Sequence, residues 1–253
     1  MSKKTYFISD FHLGVPNNKS SLEREKKVIT WLEEIEHDAR EIYFMGDVFD
    51  FWFEYKHVVP KGYVRLLGKI ASICDKGIPV HYFTGNHDMW AFDYLPTELG
   101  VIMHREPIEV IIDDKKFFLG HGDGLGPGDS GYKFIKKVFS NKVCQWLFAR
   151  LHPNFGIGLA NYWSRKSRAH TAGEEKYMGD DKEFLVQFCK DKLKDDYFDY
   201  FVFGHRHLPL DMKVGETSRY VNLGDWISHY TYAVFDGSEL KLESFKHPRV
   251  TAS

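Results

Sequence analysis

Short β-rich runs recur along the chain, and most stop abruptly at a polar or glycine cluster. They are Thr5–Ser9 before Asp10, Glu41–Met45 before Gly46, Val80–Thr84 before Gly85, Lys116–Leu119 before Gly120, Tyr200–Phe203 before Gly204 and Arg219–Val221 before Asn222. Runs of this length and composition predict strands. Between the early runs the apolar spacing turns helical. Leu22, Val28, Ile29, Leu32 and Ile35 recur at helical intervals over Ser21–Ile35, with Ser21 placed to cap the helix, and Val64–Cys74 repeats the pattern. Strands that alternate with helices early and crowd together late predict an α/β fold, a layered core of mixed strand direction flanked by helices. In such sheets ligand sites gather beyond the carboxyl ends of the strands.

Residues 125–181 break this rhythm. They lack clear strands and read as helical over Tyr132–Arg150 and Ile157–Arg168, which predicts a helical insertion within a single domain spanning residues 1–253. Lys133, Lys136, Lys137, Lys142, Arg150, Arg165, Lys166 and Arg168 make the stretch basic, and Phe134, Phe139, Trp146, Phe148, Phe155, Tyr162 and Trp163 interleave with them. Along Tyr132–Arg150 the apolar residues exceed one stripe. Phe134, Val138 and Phe148 lie off the face formed by Tyr132, Ile135, Phe139, Val143 and Trp146, so two apolar surfaces need two partners.

Composition narrows the class. At 253 residues, 43% hydrophobic and 28% charged, the chain has the make-up of a globular protein and not of a disordered or fibrous one. A formal net charge of −2 gives no global field that recruits nucleic acid, and none is expected as a partner. Cys74, Cys144 and Cys189 are widely spaced, odd in number and outside any metal pattern, as in a reducing compartment. The first residues carry no secretory pattern and no stretch is apolar enough to span a bilayer, so the expected location is cytoplasmic, with any membrane contact peripheral.

The polar clusters carry the chemistry. Asp10-Phe11-His12, Gly46-Asp47-Val48-Phe49-Asp50, Gly85-Asn86-His87-Asp88, Gly120-His121-Gly122-Asp123 and Gly204-His205-Arg206-His207 each offer oxygen or imidazole donors at a strand end. A pair of metal ions needs a bridging carboxylate, neutral imidazoles and further oxygen donors. In extended backbone the period of 2 would send Asp10 and His12 to one side, and likewise His205 and His207. A glycine before Asp47, Asn86, His121 and His205 suits a chain that must turn sharply with no side-chain bulk. Taken singly, each glycine is an ordinary loop residue and each histidine an ordinary core or surface one; together they read as a dinuclear site.

In these residues the chain resembles the calcineurin-like metallophosphoesterase superfamily, whose pattern D-x-H, G-D-x-x-D, G-N-H-[DE], a histidine after a strand, and G-H-x-H is matched in full. The resemblance implies a layered metallophosphoesterase β-sandwich flanked by helices, with 125–181 as a helical lid. It also implies that Asp10, His12, Asp47 and His207 hold one ion while Asp47, Asn86, His121 and His205 hold the other, Asp47 bridging. Imidazole and hard oxygen without thiolate favour two Mn²⁺, with Fe or Zn as alternatives. By the same resemblance His87 contacts the phosphoryl group or protonates the leaving oxygen, and Asp50 holds the His87 imidazole. The implied reaction is in-line attack of water-derived hydroxide with no covalent enzyme intermediate.

Motif order, length, the insertion after His121 and the Asn222-Leu223-Gly224-Asp225-Trp226 stretch are similar to the UDP-2,3-diacylglucosamine diphosphatases of lipid A biosynthesis. That likeness implies an acylated UDP-sugar substrate, cleaved at its pyrophosphate on the cytoplasmic face of an anionic inner membrane. It implies substrate contacts from Asn86, His87, Asp129, Ser167, Arg168 and His205. One departure stands out: those diphosphatases carry arginine after the motif asparagine, where this chain has the superfamily's usual histidine, His87. A related dinuclear phosphodiesterase or phosphatase acting on another nucleotide or lipid-linked phosphate is therefore the alternative. A metal-free scaffold would have lost ligands, and none is missing here.

Overall fold

A computed structural model describes residues 3–128, 130–171, 177, 179–180 and 182–246. The chain runs β1 (Lys4–Ile8), α1 (Asn18–Ile35), β2 (Ala39–Phe44), α2 (Val64–Asp75), β3 (Val80–Phe83), α3 (Tyr94–Leu99), β4 (Ile102–His104), β5 (Ile108–Ile112) and β6 (Lys115–Leu119). It continues through α4 (Ser130–Phe139), α5 (Lys142–Phe148), α6 (Pro153–Thr171), α7 (Phe184–Lys192), β7 (Tyr200–Phe203), β8 (Pro209–Val214), β9 (Ser218–Leu223), β10 (Thr231–Phe235) and β11 (Leu240–Ser244). The strands form two sheets, ordered β11-β10-β1-β2-β3-β4 and β5-β6-β7-β9-β8. β1 to β4 are mutually parallel, as are β6, β7 and β9, and antiparallel strands finish the edges.

The strand sequences explain the layering. Strands buried on both faces read as continuous apolar runs whose alternate side chains part to opposite sides. In β1, Tyr6 and Ile8 join Trp31 and Leu32 of α1, whereas Phe7 packs between the sheets. In β2, Ile42 and Phe44 face the helices and Tyr43 faces the other sheet. In β7, Tyr200 and Val202 meet Phe7 and Phe235 between the sheets, while Phe201 and Phe203 meet Leu185 and Cys189 of α7 outside. The result is a helix, sheet, sheet, helix sandwich with three apolar layers. Each fully buried large side chain contributes about 1.5–3 kcal/mol.

Helix boundaries differ from the sequence reading in three places, one being α6, which runs Pro153–Thr171 where Ile157–Arg168 was expected. α1 begins before Ser21 because Asn17 is the cap, its Oδ1 accepting from Lys19 N and Ser20 N at 3.1 Å each. Ser21 instead accepts from Gly14 N at 2.8 Å and steadies the loop after β1. Tyr132–Arg150 is two helices, broken where Asn141 caps α5 by accepting from Val143 N and Cys144 N at 2.8 and 3.3 Å. The break divides the two apolar surfaces differently from a single helix. Phe139 and Phe148 pack on Trp90 with ring centroids 5.3 and 4.7 Å away, and Trp90 Nε1 donates to Phe139 O at 2.8 Å. Phe134, Ile135, Val143, Trp146 and Leu147 are exposed. Among the described residues no helix is long and apolar enough to cross a membrane.

Candidate metal centre

The parallel strands deliver every motif to one edge of the sandwich. β1 leads to Asp10 and His12, β2 to Asp47 and Asp50, β3 to Asn86 and His87, β6 to His121, β7 to His205 and His207, and β9 to Asp225. Main-chain hydrogen bonds lace the loops together, including Asp10 N to Gly46 O at 3.1 Å, His12 N to Asp47 O at 3.0 Å and Gly204 N to His121 O at 3.0 Å.

The convergence does not use extended backbone. Asp10, His12, Asp47, His205 and His207 all have positive φ, between 44° and 66°, so left-handed turns aim these side chains. Non-glycine residues rarely adopt this region, and strain of order 1–3 kcal/mol per residue is held by the surrounding fold. The glycines play two roles. Gly46 takes φ +97°. At Gly85 the need is space, because a Cβ there would lie 2.2 Å from Asp47 Oδ1.

Side chains from different loops meet in three groups able to hold a metal ion: Asp10 with His12 and His207; His12 with Asp47 and His87; Asp47 with His121 and His205. Asp47 Oδ2 lies 3.6 Å from His12 Nε2 and 3.3 Å from His121 Nε2. Asp10 Oδ1 lies 3.3 Å from His207 Nε2 and 3.6 Å from His12 Nε2. Asn86 Oδ1 stands 3.3 Å from His121 Nε2. All seven residues of the expected ligand set are thus brought together.

The outer nitrogens of three histidines are held by oxygen. His121 Nδ1 donates to Met45 O at 2.8 Å, His12 Nδ1 faces Asp50 Oδ1 at 3.6 Å, and His207 Nδ1 faces Asp225 Oδ2 at 3.6 Å. Acceptors at Nδ1 keep a ring proton there, so that Nε2 is the nitrogen left to face a cation once its own proton is displaced.

Electrostatics fit the same group. Asp10 Oδ1 is buried without a hydrogen bond, and burial raises the Asp10 pKa. Burial would also raise Asp47, but His121 and His87 outweigh it and hold that carboxyl well below its usual range. Burial and the neighbouring charge of His121 push His205 down to about 3, keeping it neutral. His12 Nε2 and His207 Nε2 face each other at 3.0 Å. At that distance the two nitrogens can share one proton or flank a cation, and with the buried, unpartnered Asp10 Oδ1 beside them the donors present fit divalent ions.

His87 Nδ1 donates to the Asp50 main-chain carbonyl at 2.8 Å, while the Asp50 carboxylate is 3.6 Å away. The main chain therefore makes the closer contact where the sequence pointed to the side chain. Ser164 of α6 donates to Asp50 Oδ2 at 2.9 Å and lies 3.5 Å from His87 Nδ1. Ser167 and Arg168 fall within α6, but their side chains, like the whole of Asp129, lie outside the described residues.

Three supporting residues had no role in the sequence reading. The buried Asp88 carboxyl accepts from Tyr82 Oη, Gly85 N and Val48 N at 2.7, 2.7 and 2.9 Å, joining two motif loops. Asp225 accepts from Ile227, Ser228 and His229 N while backing His207. Glu183 takes both ends of the Arg206 guanidinium at 2.8 and 2.9 Å, fixing the turn between His205 and His207. Asp88 and Arg206 stand inside the motifs and Asp225 inside the Asn222–Trp226 stretch, which was the available signal.

Comparison with known proteins agrees with this geometry. A protein of Porphyromonas gingivalis named UDP-2,3-diacylglucosamine hydrolase is 41% identical over 261 residues, covering 97% of this chain and 99% of the relative. Proteins of the same name from Aeromonas salmonicida and Haemophilus influenzae are 25% and 26% identical, covering 94% and 90% of this chain and 92% of each relative. The family model for calcineurin-like phosphoesterases matches residues 3–209, a span that holds every histidine and carboxylate of the three groups, and this chain belongs to that family.

Proposed function

We propose that this chain hydrolyses the pyrophosphate of UDP-2,3-diacylglucosamine, giving UMP and 2,3-diacylglucosamine 1-phosphate in lipid A biosynthesis. One observation carries the reading: near-full-length identity of 41% to a hydrolase of that name, in a chain whose complete donor set converges. Asp10, His12, Asp47 and His207 would hold one divalent ion and Asp47, Asn86, His121 and His205 the other, with manganese the first choice. Two such ions, when bound, supply Lewis acidity that acidifies water and neutralises charge spreading over the phosphoryl oxygens.

The chain's own residues do the remainder. Neutral His205 presents a lone pair directly. Burial would lower the His121 pKa, but Asp47 outweighs it and pushes that pKa up to about 10, so an ion binding there would displace the Nε2 proton while the Nδ1 proton stays on Met45 O. Asp47 stays ionised and shared. With Nδ1 committed to Asp50 O, His87 has Nε2 left to contact the phosphoryl group or pass a proton to the leaving oxygen. Asn86, Asp129, Ser167, Arg168 and His205 complete the proposed substrate contacts.

Residues 125–181 act in this reading as a lid that receives acyl chains and rests on the anionic cytoplasmic face of the inner membrane. Its support is the exposure of large side chains along the insertion, Phe134, Val143, Trp146, Leu147, Phe155, Tyr162 and Trp163, in a stretch rich in lysine and arginine, with Arg150 stacked 4.6 Å over Trp146. His87, in the position where the similar diphosphatases carry arginine, favours the second reading, a sister phosphoesterase with another nucleotide or lipid-linked substrate. A substrate panel with manganese tests both. The first reading predicts UMP and acylated sugar phosphate in equal amounts and much slower turnover without acyl chains; a simple nucleotide diester cleaved much faster would overturn it.

A further inference from the structure

The two flanks of the metal centre differ in chemistry. On the His87 side stand Ser164 and the aromatic group of Phe51, Trp90, Phe139 and Phe148. On the His121 side a cavity of about 180 Å³ is walled by Thr84, Arg105, Asp123, Lys133 and Lys136, with His121 itself in the lining.

This second flank has cationic character that the fold does not consume. Lys136 is taken up by Asp123, at 2.6 Å. Arg105 Nη2 donates to Phe92 O at 2.7 Å and Lys133 Nζ donates to Gly126 O, both neutral main-chain acceptors. Neither forms an ion pair among the described residues, and Glu106 is the one further carboxylate in the described lining. Guanidinium and ammonium side chains that line a shared cavity without a carboxylate partner among the described residues suit a phosphate ester.

A pyrophosphate joining an acylated sugar to a nucleoside needs opposite surroundings for its two halves. Acyl chains need apolar walls; a nucleoside monophosphate, anionic and rich in hydroxyls, needs cations and polar groups. Among the described residues, the His121 flank offers the latter at the metal centre. We propose that this cavity is the subsite for the nucleoside monophosphate half, held by Arg105 and Lys133. The proposal rests on the pyrophosphate-hydrolase reading and adds that the substrate lies with its nucleotide toward His121 and its acyl chains toward Trp90.

The test titrates UMP into the manganese-loaded full-length protein by calorimetry, for wild type, Arg105→Ala and Lys133→Ala. Both side chains are at the surface of the cavity, and thermal unfolding checks each fold; if one variant is destabilised, the other carries the test. UMP affinity is expected to fall about tenfold in each, the loss of one charge-assisted hydrogen bond, while affinity for 2,3-diacylglucosamine 1-phosphate, titrated in the same way, changes less than about twofold. Unchanged UMP affinity in the folded variants, or equal weakening of both products, overturns the subsite. The measurement needs no turnover. Failure of the hydrolase reading shows separately, as wild-type protein that leaves UDP-2,3-diacylglucosamine intact.

Discussion

Replacing Asp225 with asparagine exchanges one oxygen for an NH₂ group, yet the structure predicts consequences both for the fold and for His207. Asp225 Oδ1 accepts from Ile227, Ser228 and His229 N at 3.0, 2.7 and 3.1 Å, and Oδ2 faces His207 Nδ1 at 3.6 Å. Asparagine must keep its carbonyl toward the three amides, because its NH₂ there would meet three donors. The NH₂ then points at His207 Nδ1. A donor at that position forces Nδ1 to accept, and the ring proton moves to Nε2, the nitrogen facing Asp10 and His12. Lost tautomer control of this kind lowers metal affinity about 10–100-fold.

Stability responds as well. Burial alone would raise the Asp225 pKa, but His207 and the amides of Ser228 and His229 outweigh it and hold the carboxyl down to about 2. A depressed carboxylate stabilises the fold above its unfolded pKa near 3.9, and that contribution is lost as pH falls through about 2. At neutral pH the shift corresponds to about 2 kcal/mol for this nearly buried side chain, or roughly 4–8 °C in Tm. Calorimetric titration with Mn²⁺ and thermal unfolding of chelated protein read the two effects. An Asp225→Asn variant with wild-type manganese affinity and wild-type Tm would refute the reasoning.

Other expectations can be checked singly. Gly85→Ala places a Cβ 2.2 Å from Asp47 Oδ1, so Asp47 must move and turnover is expected to fall about 100-fold, as for a ~1 Å misplacement; near-normal kcat would contradict this. Ser164→Ala removes the 2.9 Å bond from α6 to Asp50 and should speed amide exchange across Pro153–Thr171, with unchanged exchange counting against a tether. Burial and His81 lower the His104 pKa to about 4, so neutral His104 stabilises the fold above its unfolded pKa near 6.5, and that stability drains as pH falls through about 4. After discount for partial exposure this is worth about 1 kcal/mol, and His104→Gln should flatten denaturant stability between those pH values; an unaltered slope would exclude the assignment.

The motifs were legible in the sequence because most of the strands that lead to them end in a short apolar run and the polar cluster marks where the chain leaves the sandwich. Tyr6-Phe7-Ile8 and Tyr200 to Phe203 have no polar residue to place, so burial on both faces follows directly. The aiming of the donors was not legible. It depends on left-handed φ at Asp10, His12, Asp47, His205 and His207, residues with no sequence preference strong enough to announce it. Supporting contacts escaped because their partners are remote in the chain: Asp88 binds Val48, and Ser164 binds Asp50 across 114 positions. The division of α4 from α5 was hidden by apolar residues on both sides of Asn141, where local capping overrides continuous periodicity.

Diffraction from crystals soaked in manganese, recorded with anomalous signal, tests the central claim most directly. Two peaks are expected, one among Asp10, His12, Asp47 and His207 and the other among Asp47, Asn86, His121 and His205, both lost in Asp47→Ala. An empty anomalous map at these side chains, with manganese bound elsewhere or not at all, would contradict the account.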